Sequence, residues 1–397
     1  MSKQLSVVLG LGIASLAACE NVVIMPGGTT PPASQPGATD PTPAPEATPT
    51  PTPTPSPTLA RAFAYSQSST AGVIYQYAVD LGTGDLTPLA TPTISAGSYL
   101  YYLDLDRTKD HLYAVNYSSH NVTGYSIDKQ SGQLTSLGNF GLGGATNPGN
   151  IRLHPTRDCA YVANNGSGNV SAFSASGGAL THVANVATGG GATAIDVTPD
   201  GKYLYVANSS AQTVSIFEVE SDCDLASVGT LSAGVTAPND VRVHPNGQFL
   251  YVSNFSGATG SVSAFAIAGD GTLSAITGSP FLTGGDASYA IRFSDDGAYL
   301  FSANNRNVMS SSSVSVYGVN ATSGALSLKS GSPVAHVGAS FASLFKTFAY
   351  VMSYNQTDHV QLYDFNATSG ALTPRAGWSA PVQGNEGYTI QFVPVYE

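Results

Sequence analysis

Alternating hydrophobic and polar residues mark a short two-strand unit that recurs along most of the chain. In its clearest copy, over residues 194–208, Ile195 and Val197 alternate with polar neighbours, and residues 203–206 are aromatic or aliphatic. Such runs are typical of half-buried β-strands. Pro199-Asp200-Gly201 between them predicts a tight turn, because proline presets φ and glycine accepts a positive φ.

Two markers of this unit repeat with the same spacing. Copies of the second strand end at Gln67, Asn116, Asn164, Asn208, Asn254, Asn304 and Ser353, at intervals of 44 to 50 residues. A small turn followed by leucine recurs at Leu86, Leu134, Leu180, Leu225, Leu273, Leu326 and Leu372. A period of about 40–50 residues with four strand-like pieces per repeat is the sequence pattern of a β-propeller.

The strands of each repeat are named A to D in chain order, and in the fourth repeat they are predicted at 193–197, 203–208, 213–219 and 225–231. The first repeat opens directly on a B strand at Ala62, whereas residues 388–395 form a strand pattern that no B strand follows. We therefore predict an all-β fold, a single seven-bladed propeller of four-stranded blades. The C-terminal strand completes blade one, which removes the open sheet edges.

The first residues of the chain predict export. Residues 1–18 combine Lys3 with a short apolar run, the pattern of a signal peptide that is too short to remain as a membrane helix. The run ends in Leu16-Ala-Ala-Cys19, which resembles the lipobox of bacterial lipoproteins and implies cleavage before Cys19 and its lipidation. Glu20 then favours the outer membrane, facing the periplasm or the cell surface. An ordinary signal peptide with a chance cysteine is the alternative.

Residues 19–59 are predicted to be a disordered linker behind the lipidated cysteine. Between residues 41 and 58 proline falls at nearly every second position, and no apolar residue recurs that could be buried. Proline-rich chain favours an extended form of about 3.1 Å per residue, although a plain flexible tether differs only in stiffness. The propeller then occupies residues 60–397.

The net charge bears on the class of binding partner, and the two remaining cysteines bear on a disulfide. The net charge of −11 disfavours nonspecific nucleic-acid binding. Cys159, at the A–B end of blade three, and Cys223, in the C–D turn of blade four, lie at the same face of adjacent blades. An even pair in an exported protein suggests a disulfide, which requires Cα atoms within about 7 Å.

The common catalytic motifs are missing from the sequence, including the Gly-x-Ser-x-Gly elbow, His-Glu-x-x-His and paired zinc-spaced cysteines. We predict a monomer with no metal and no cofactor. His154 and His244 each precede proline in an A–B turn and are predicted to be structural.

Aligning the A strands on the B strands brings charged residues to equivalent places around the central channel. They are Asp104, Arg152, Asp196, Arg242 and Arg292, with Gln391 in the C-terminal strand. A ring nearer the channel mouth contains Tyr102, Asn150 and Asp240, with Asn239, Tyr289 and Tyr388 beside them. All of these except Gln391 are predicted ligand-binding residues.

Two interpretations of the charged ring stay open. The first is ion pairing between blades, since charges near a core are normally paired. The second is a channel site for an anionic or polyol ligand, with the three arginines as donors. The arginines exceed Asp104 and Asp196 by one, so we expect an anion preference unless Asp240 cancels the surplus.

The segments 198–208 and 244–254, together with the Gly-x-Leu turns, resemble the seven-bladed lactonase-like propellers, including the 6-phosphogluconolactonase type and YVTN-repeat proteins. The resemblance covers residues 62–397. Family lactonases carry Pro-Arg-His at the start of an A strand, among the residues credited with binding or catalysis. The matching places here read Pro238-Asn239-Asp240 and Pro148-Gly149-Asn150, which makes Asp240 the candidate general base.

Two function classes follow. The first is a membrane-anchored, non-catalytic propeller that binds a small molecule or a protein at its channel or top face. The alternative, implied by the resemblance, is a lactone hydrolase or cyclase that acts outside the cytoplasm.

The lipobox interpretation is tested by a Cys19→Ala variant. Without the thiol no lipid can be attached, so we expect the protein to leave the membrane fraction or to accumulate unprocessed. Cell fractionation beside the wild type measures this. A variant that stays with the membranes after a high-salt wash would contradict the lipid anchor.

Overall fold

The computed structural model describes residues 57–397, except 233, 257–258, 306–311, 355–359 and 379–386. The regular elements of this part of the chain are β-strands, numbered β1 to β30. No helix within it is long and apolar enough to cross a membrane. The predicted signal peptide and residues 19–56 of the predicted linker lie outside the described residues.

The described strands form seven antiparallel sheets, and each sheet is one blade. Blade one contains β1 (Leu59–Ser68), β2 (Val73–Val79), β3 (Leu86–Ser95) and β30 (Ile390–Tyr396). Blade two contains β4 (Leu100–Leu105), β5 (His111–Asn116), β6 (Asn121–Ile127) and β7 (Leu134–Gly141). Blade three contains β8 (Pro148–Leu153), β9 (Cys159–Asn164), β10 (Asn169–Ser176) and β11 (Ala179–Ala187).

The remaining blades follow in chain order. Blade four contains β12 (Ala192–Val197), β13 (Tyr203–Asn208), β14 (Thr213–Val219) and β15 (Leu225–Leu231). Blade five contains β16 (Pro238–Val243), β17 (Phe249–Asn254), β18 (Ser261–Ile267), β19 (Leu273–Ala275) and β20 (Phe281–Leu282). Blade six contains β21 (Ser288–Phe293), β22 (Tyr299–Asn304), β23 (Ser313–Val319), β24 (Leu326–Leu328) and β25 (Val334–Ala335). Blade seven contains β26 (Ala339–Phe345), β27 (Phe348–Ser353), β28 (Val360–Phe365) and β29 (Leu372–Pro374).

Strand pairing confirms the predicted seven-bladed propeller and its closure. β30 pairs antiparallel with β1, with Gln391 opposite Tyr65, and so supplies the A strand of blade one. In blade four the B, C and D strands have the predicted bounds, and the A strand begins one residue earlier, at Ala192. The outer strand is split in blades five and six, where β19 and β20 both pair with β18, and β24 and β25 both pair with β23.

Neighbouring blades are joined by a contact that recurs around the ring, here called the ring–glycine contact. A side chain near the start of a B strand covers the glycine that closes the C–D turn of the next blade, so closely that a Cβ on that glycine would collide with it. It is the first residue of the strand except in blade one, where β1 begins four residues before Phe63. The pairs are Phe63–Gly132, His111–Gly178, Tyr203–Gly271, Phe249–Gly324, Tyr299–Gly370 and Phe348–Gly84. These glycines have φ between 70° and 85°, a region that side chains with a Cβ disfavour.

A hydrogen bond reinforces four of these contacts. The tyrosine two residues further along the B strand donates its hydroxyl to the carbonyl of the same glycine. The bonds are Tyr65–Gly132 (2.7 Å), Tyr205–Gly271 (2.9 Å), Tyr251–Gly324 (2.7 Å) and Tyr350–Gly84 (2.6 Å). Each is worth about 1 kcal/mol of net stability.

A disulfide replaces the ring–glycine contact between blades three and four. Cys159 is the first residue of its B strand, and Cys223 occupies the turn position held by glycine elsewhere, with φ of 72°. The two are bonded, and their Cα atoms are 5.6 Å apart. Tyr161 stands at the position of the hydrogen-bonding tyrosine, but its buried hydroxyl has no partner among the described residues. A covalent bond therefore joins these blades where a ring and a hydroxyl join others.

A double variant, Cys159→Tyr with Cys223→Gly, would copy the next junction, where Tyr203 covers Gly271. Cys223→Ala alone should lower the free energy of unfolding by about 3 kcal/mol through loss of the disulfide. The double variant should recover about 2 kcal/mol, because glycine relieves the positive φ of residue 223 and an aromatic ring covers it as Tyr203 covers Gly271. Urea denaturation without reductant measures both, with reduced wild type as control. A double variant no more stable than Cys223→Ala would show that the two contacts are not interchangeable.

Candidate functional site

Charged side chains of the A strands occupy equivalent places in the channel, as the sequence alignment predicted. Each lies opposite the same aromatic position of its B strand. The pairs are Asp104–Tyr113, Arg152–Tyr161, Asp196–Tyr205, Arg242–Tyr251 and Arg292–Phe301. Ser343 takes this place in blade seven, opposite Tyr350.

Arg152 bridges two aspartates of the neighbouring blades. Its Nη1 lies 3.2 Å from Oδ2 of Asp104, and its Nε lies 2.8 Å from Oδ1 of Asp196. Burial alone would lower the pKa of Arg152, but Asp196 and Asp104 outweigh it and raise that pKa. Burial raises the pKa of Asp104 despite the opposing charge of Arg152. This cluster links blades two, three and four.

Asp240 in turn bridges two arginines. Its carboxylate lies 3.1 Å from Nη2 of Arg242 and 2.7 Å from Nη1 of Arg292. Burial would raise the pKa of Asp240, but the two guanidinium groups outweigh it and lower that pKa. Asp240 is therefore ionised at neutral pH and is a weak base. With Arg152 already bridged, Asp240 cancels the positive surplus, so the anion preference that depended on this surplus is no longer expected.

Tyr102 reaches across the channel from blade two to blades five and six. Its hydroxyl accepts hydrogen bonds from Nη2 of Arg242 at 2.8 Å and Nη2 of Arg292 at 2.5 Å. Because both acceptor positions of the hydroxyl are used, its O–H hydrogen is the group left to bind a ligand. Tyr102 thereby forms the floor of the channel mouth.

A cavity of about 560 Å³ opens above this floor. The predicted ligand-binding residues that line it are Tyr102, Asn150, Asn239, Asp240, Tyr289, Arg292 and Tyr388. The other four, Asp104, Arg152, Asp196 and Arg242, are not part of its lining. The residues predicted for the channel mouth therefore line the cavity. Of the charged ring, only Arg292 does so.

β-Bulges direct side chains into this cavity. In blades two to seven the register between the A and B strands shifts by one residue near the start of the A strand. The extra residues are Tyr101, Gly149, Thr193, Asn239, Tyr289 and Ser340, and all line the cavity. A bulge re-aims its extra residue, which presents a side chain in five blades and the backbone of Gly149 in blade three, so the same irregularity builds the cavity wall in six blades.

One side of the cavity is a continuous group of aromatic rings, here called the tyrosine arc. It consists of Tyr99, Tyr101, Tyr117, Phe255, Tyr289, Tyr354 and Tyr388. Ring centroids lie 4.8 Å apart for Tyr101 and Tyr388 and 6.2 Å apart for Tyr289 and Tyr388. The hydroxyls of Tyr101 and Tyr289 are 2.8 Å apart. Burial raises the pKa of Tyr101 to about 12 and that of Tyr289 well above its usual value, so both hydroxyls keep their protons at neutral pH.

Of this arc, only Tyr289 and Tyr388 are among the ligand-binding residues predicted from the sequence. A usable pattern was present, since Tyr117, Phe255 and Tyr354 each directly follow the last residue of a B strand. An aromatic residue at that place or at the bulge marks blades two, five, six and seven as contributors to the arc.

Blades three and four supply the opposite side, which is small and polar. Its residues are Gly149, Asn150, Asn165, Thr193, Ala194 and Ser209. Asn150 is 4% exposed, and its Oδ1 has no hydrogen-bond partner among the described residues. A buried acceptor left unpaired costs about 1–3 kcal/mol. Because protein atoms cover this oxygen, it does not face the open space of the cavity.

Histidines contribute nothing to the described lining of the cavity. His154 and His244 donate through Nε2 to the carbonyls of Gly201 and Gly297, at 2.8 and 3.0 Å, in agreement with the predicted turn role. Within the described ranges, no three histidine, cysteine or acidic side chains converge as metal ligands do.

The fold and cavity define the protein as a seven-bladed propeller with a small-molecule-sized recess at its channel mouth. The family model "Lactonase, 7-bladed beta-propeller" matches residues 61–192, 144–279 and 226–343. These matches cover more than half of the sequence, and the chain belongs to this family. No curated protein matches the chain significantly.

Solved structures show the same fold at low identity. A candidate 6-phosphogluconolactonase of Bacteroides fragilis has a TM-score of 0.72 and 20% identity, covering 84% of this chain and 98% of that one. One of Bacteroides uniformis has a TM-score of 0.71 and 22% identity, with 84% and 99% covered. A periplasmic gluconolactonase of Pseudomonas aeruginosa has a TM-score of 0.68 and 20% identity, with 85% and 100% covered.

Arg242→Met tests the structural role of the buried charges. The variant removes one of the two cations that hold Asp240, and we expect the free energy of unfolding at pH 7 to fall by about 3 kcal/mol, as for a broken buried pair. Arg107→Met is the control, because Arg107 and Asp158 form an exposed pair with side chains 43% and 65% accessible, and it should cost under about 1 kcal/mol. Equal losses in urea denaturation would contradict a buried scaffold.

The difference in stability between the wild type and Arg242→Met should also depend on pH. The pKa of Asp240 is lowered from 3.8 in the folded state, so its contribution is complete above about pH 4 and is lost as the pH falls through the folded pKa. The difference in stability between wild type and Arg242→Met should therefore shrink below about pH 4. A difference that stays constant from pH 7 to pH 3 would exclude Asp240 as the partner.

Proposed function

We propose that the protein binds a small molecule in the mouth cavity. The observation that carries this is a cavity that places the tyrosine arc beside the Tyr102 hydroxyl, whose O–H is left to bind because its oxygen already accepts from two arginines. Small-molecule sites combine mostly apolar walls with a few placed polar groups, in volumes of about 300–1,000 Å³. The cavity of about 560 Å³ lies within this range. A recess of this kind favours a small ligand over a protein surface.

We further propose that this site is displayed outside the cytoplasm on a lipid anchor at Cys19, at the outer membrane. The signal-peptide and lipobox patterns support export. The disulfide between Cys159 and Cys223 supports it independently, because structural disulfides persist mainly in oxidising compartments.

Hydrolysis of a lactone is the second candidate function, favoured by family membership and by Asp240 in the cavity lining. In such a reaction water adds to the carbonyl carbon while Asp240 takes its proton. The ring C–O bond then breaks, and the ring oxygen takes up a proton to give a hydroxy acid. The lowered pKa of Asp240 makes it a weak base for the first step. Binding is therefore placed first.

Calorimetric titration of the purified protein with sugars, polyols and lactones tests binding. Tyr101→Ala removes a ring that contacts both Tyr388 and Tyr289, and we expect it to weaken binding at least tenfold, about 1.4 kcal/mol. Tyr396→Ala is the matched control, since Tyr396 is 56% exposed and lies outside the cavity. Equal affinity in both variants would place the ligand elsewhere.

Acid release from the same lactones separates the two candidates. Hydrolysis that Asp240→Asn abolishes in a protein that circular dichroism shows to be folded would establish the enzyme. Binding without hydrolysis by the wild type would restrict the function to recognition.

A further inference from the structure

We infer that the mouth cavity takes an uncharged, hydroxyl-rich ring and rejects the phosphorylated form of the same compound. This inference rests on the proposed function and adds the class of ligand to it. Three features of the cavity lead to it: its charge, the O–H that Tyr102 offers and the shape of its aromatic side.

The charge of the cavity is already balanced before a ligand enters. The charged residues in its described lining are Asp240 and Arg292. Arg292 directs Nη1 to the Asp240 carboxylate at 2.7 Å and Nη2 to the Tyr102 hydroxyl at 2.5 Å. A phosphate group carries about −1.5 to −2 charges at neutral pH and needs cationic donors. In this cavity a phosphate would meet Arg292, whose two terminal nitrogens already have partners, beside the ionised carboxylate of Asp240.

The Tyr102 hydroxyl offers a hydrogen-bond donor to the cavity. Its oxygen accepts from Arg242 and Arg292, so its O–H hydrogen is left for an acceptor of the ligand. A ligand hydroxyl supplies that acceptor, because it has two lone pairs, and keeps its own hydrogen for a second partner. A hydroxyl therefore satisfies Tyr102 without bringing a charge into the cavity.

The tyrosine arc fits the remaining surface of such a ring. Its rings present broad, rigid faces with a hydroxyl at the edge, so they cover C–H surface and still hydrogen-bond. Tyr101, Tyr289 and Tyr388 form the part of the arc that spans the mouth. A compact ring with apolar faces and polar edges matches this arrangement.

Asp240 is the group that keeps anions out, because it neutralises both Arg242 and Arg292. Removing its charge should leave Arg292 in the lining and Arg242 below it without a neutralising carboxylate. We therefore expect Asp240→Asn to gain affinity for inorganic phosphate by at least tenfold over the wild type. Asp196→Asn is the matched control, because it frees part of Arg152, which does not line the cavity, and it should gain none.

The test compares neutral monosaccharides, polyols and aldonolactones with their phosphate esters by calorimetry, using the wild-type protein. A neutral compound bound at least tenfold more tightly than its ester, with little dependence on salt, supports the inference. An ester bound as tightly as the neutral compound, or more tightly, overturns the inference and leaves the proposed function standing. Binding of neither class at millimolar concentration would defeat both.

The phosphate titration of the variants gives a second readout that needs no cognate ligand. A tenfold gain in Asp240→Asn alone supports the role of Asp240. No gain in a folded Asp240→Asn, or an equal gain in Asp196→Asn, overturns it. If Asp240→Asn does not fold, the comparison of neutral compounds with their esters on the wild type decides alone.

Discussion

The ring–glycine contact is the constraint on which the propeller depends. It requires a turn residue without a Cβ and with a positive φ in one blade, and a covering side chain at the start of the B strand in the blade before it. The two markers that repeat along the sequence are the two halves of this contact. Their common period follows, because each half must recur once per blade for the ring to close. The junction at Cys159 and Cys223 keeps the same two positions and changes only the chemistry that joins them.

The channel shows how the scaffold and the candidate site share one set of strands. In the lower layer arginines and aspartates neutralise one another across blade boundaries, which couples blades whose described strands lie in separate sheets. Three residues nearer the start of the same A strands lie the bulges, whose extra residues line the cavity. Tyr102 belongs to both layers, since its ring lines the cavity while its hydroxyl receives Arg242 and Arg292.

Most of the fold could be predicted from the sequence, because period and strand alternation report backbone geometry directly. The equivalence of Asp104, Arg152 and Asp196 could be predicted for the same reason. The pairing of Asp240 with both Arg242 and Arg292 could not, since it depends on where long side chains turn between blades. The tyrosine arc was missed in large part because its members lie at bulges and just beyond strand ends, where the two-residue alternation breaks down.

The closing strand also has a consequence for the cavity. Tyr388 lies two residues before β30, so the pairing of β30 with β1 fixes the position of a ring in the middle of the tyrosine arc. Closure of the propeller and completion of the cavity are thus one event. A ligand that contacts Tyr388 and Tyr101 together spans the seam between blades one and two. Such a ligand would bind only the state in which the site is complete. It would therefore stabilise the closed ring, and the propeller would open less readily with ligand bound than without it.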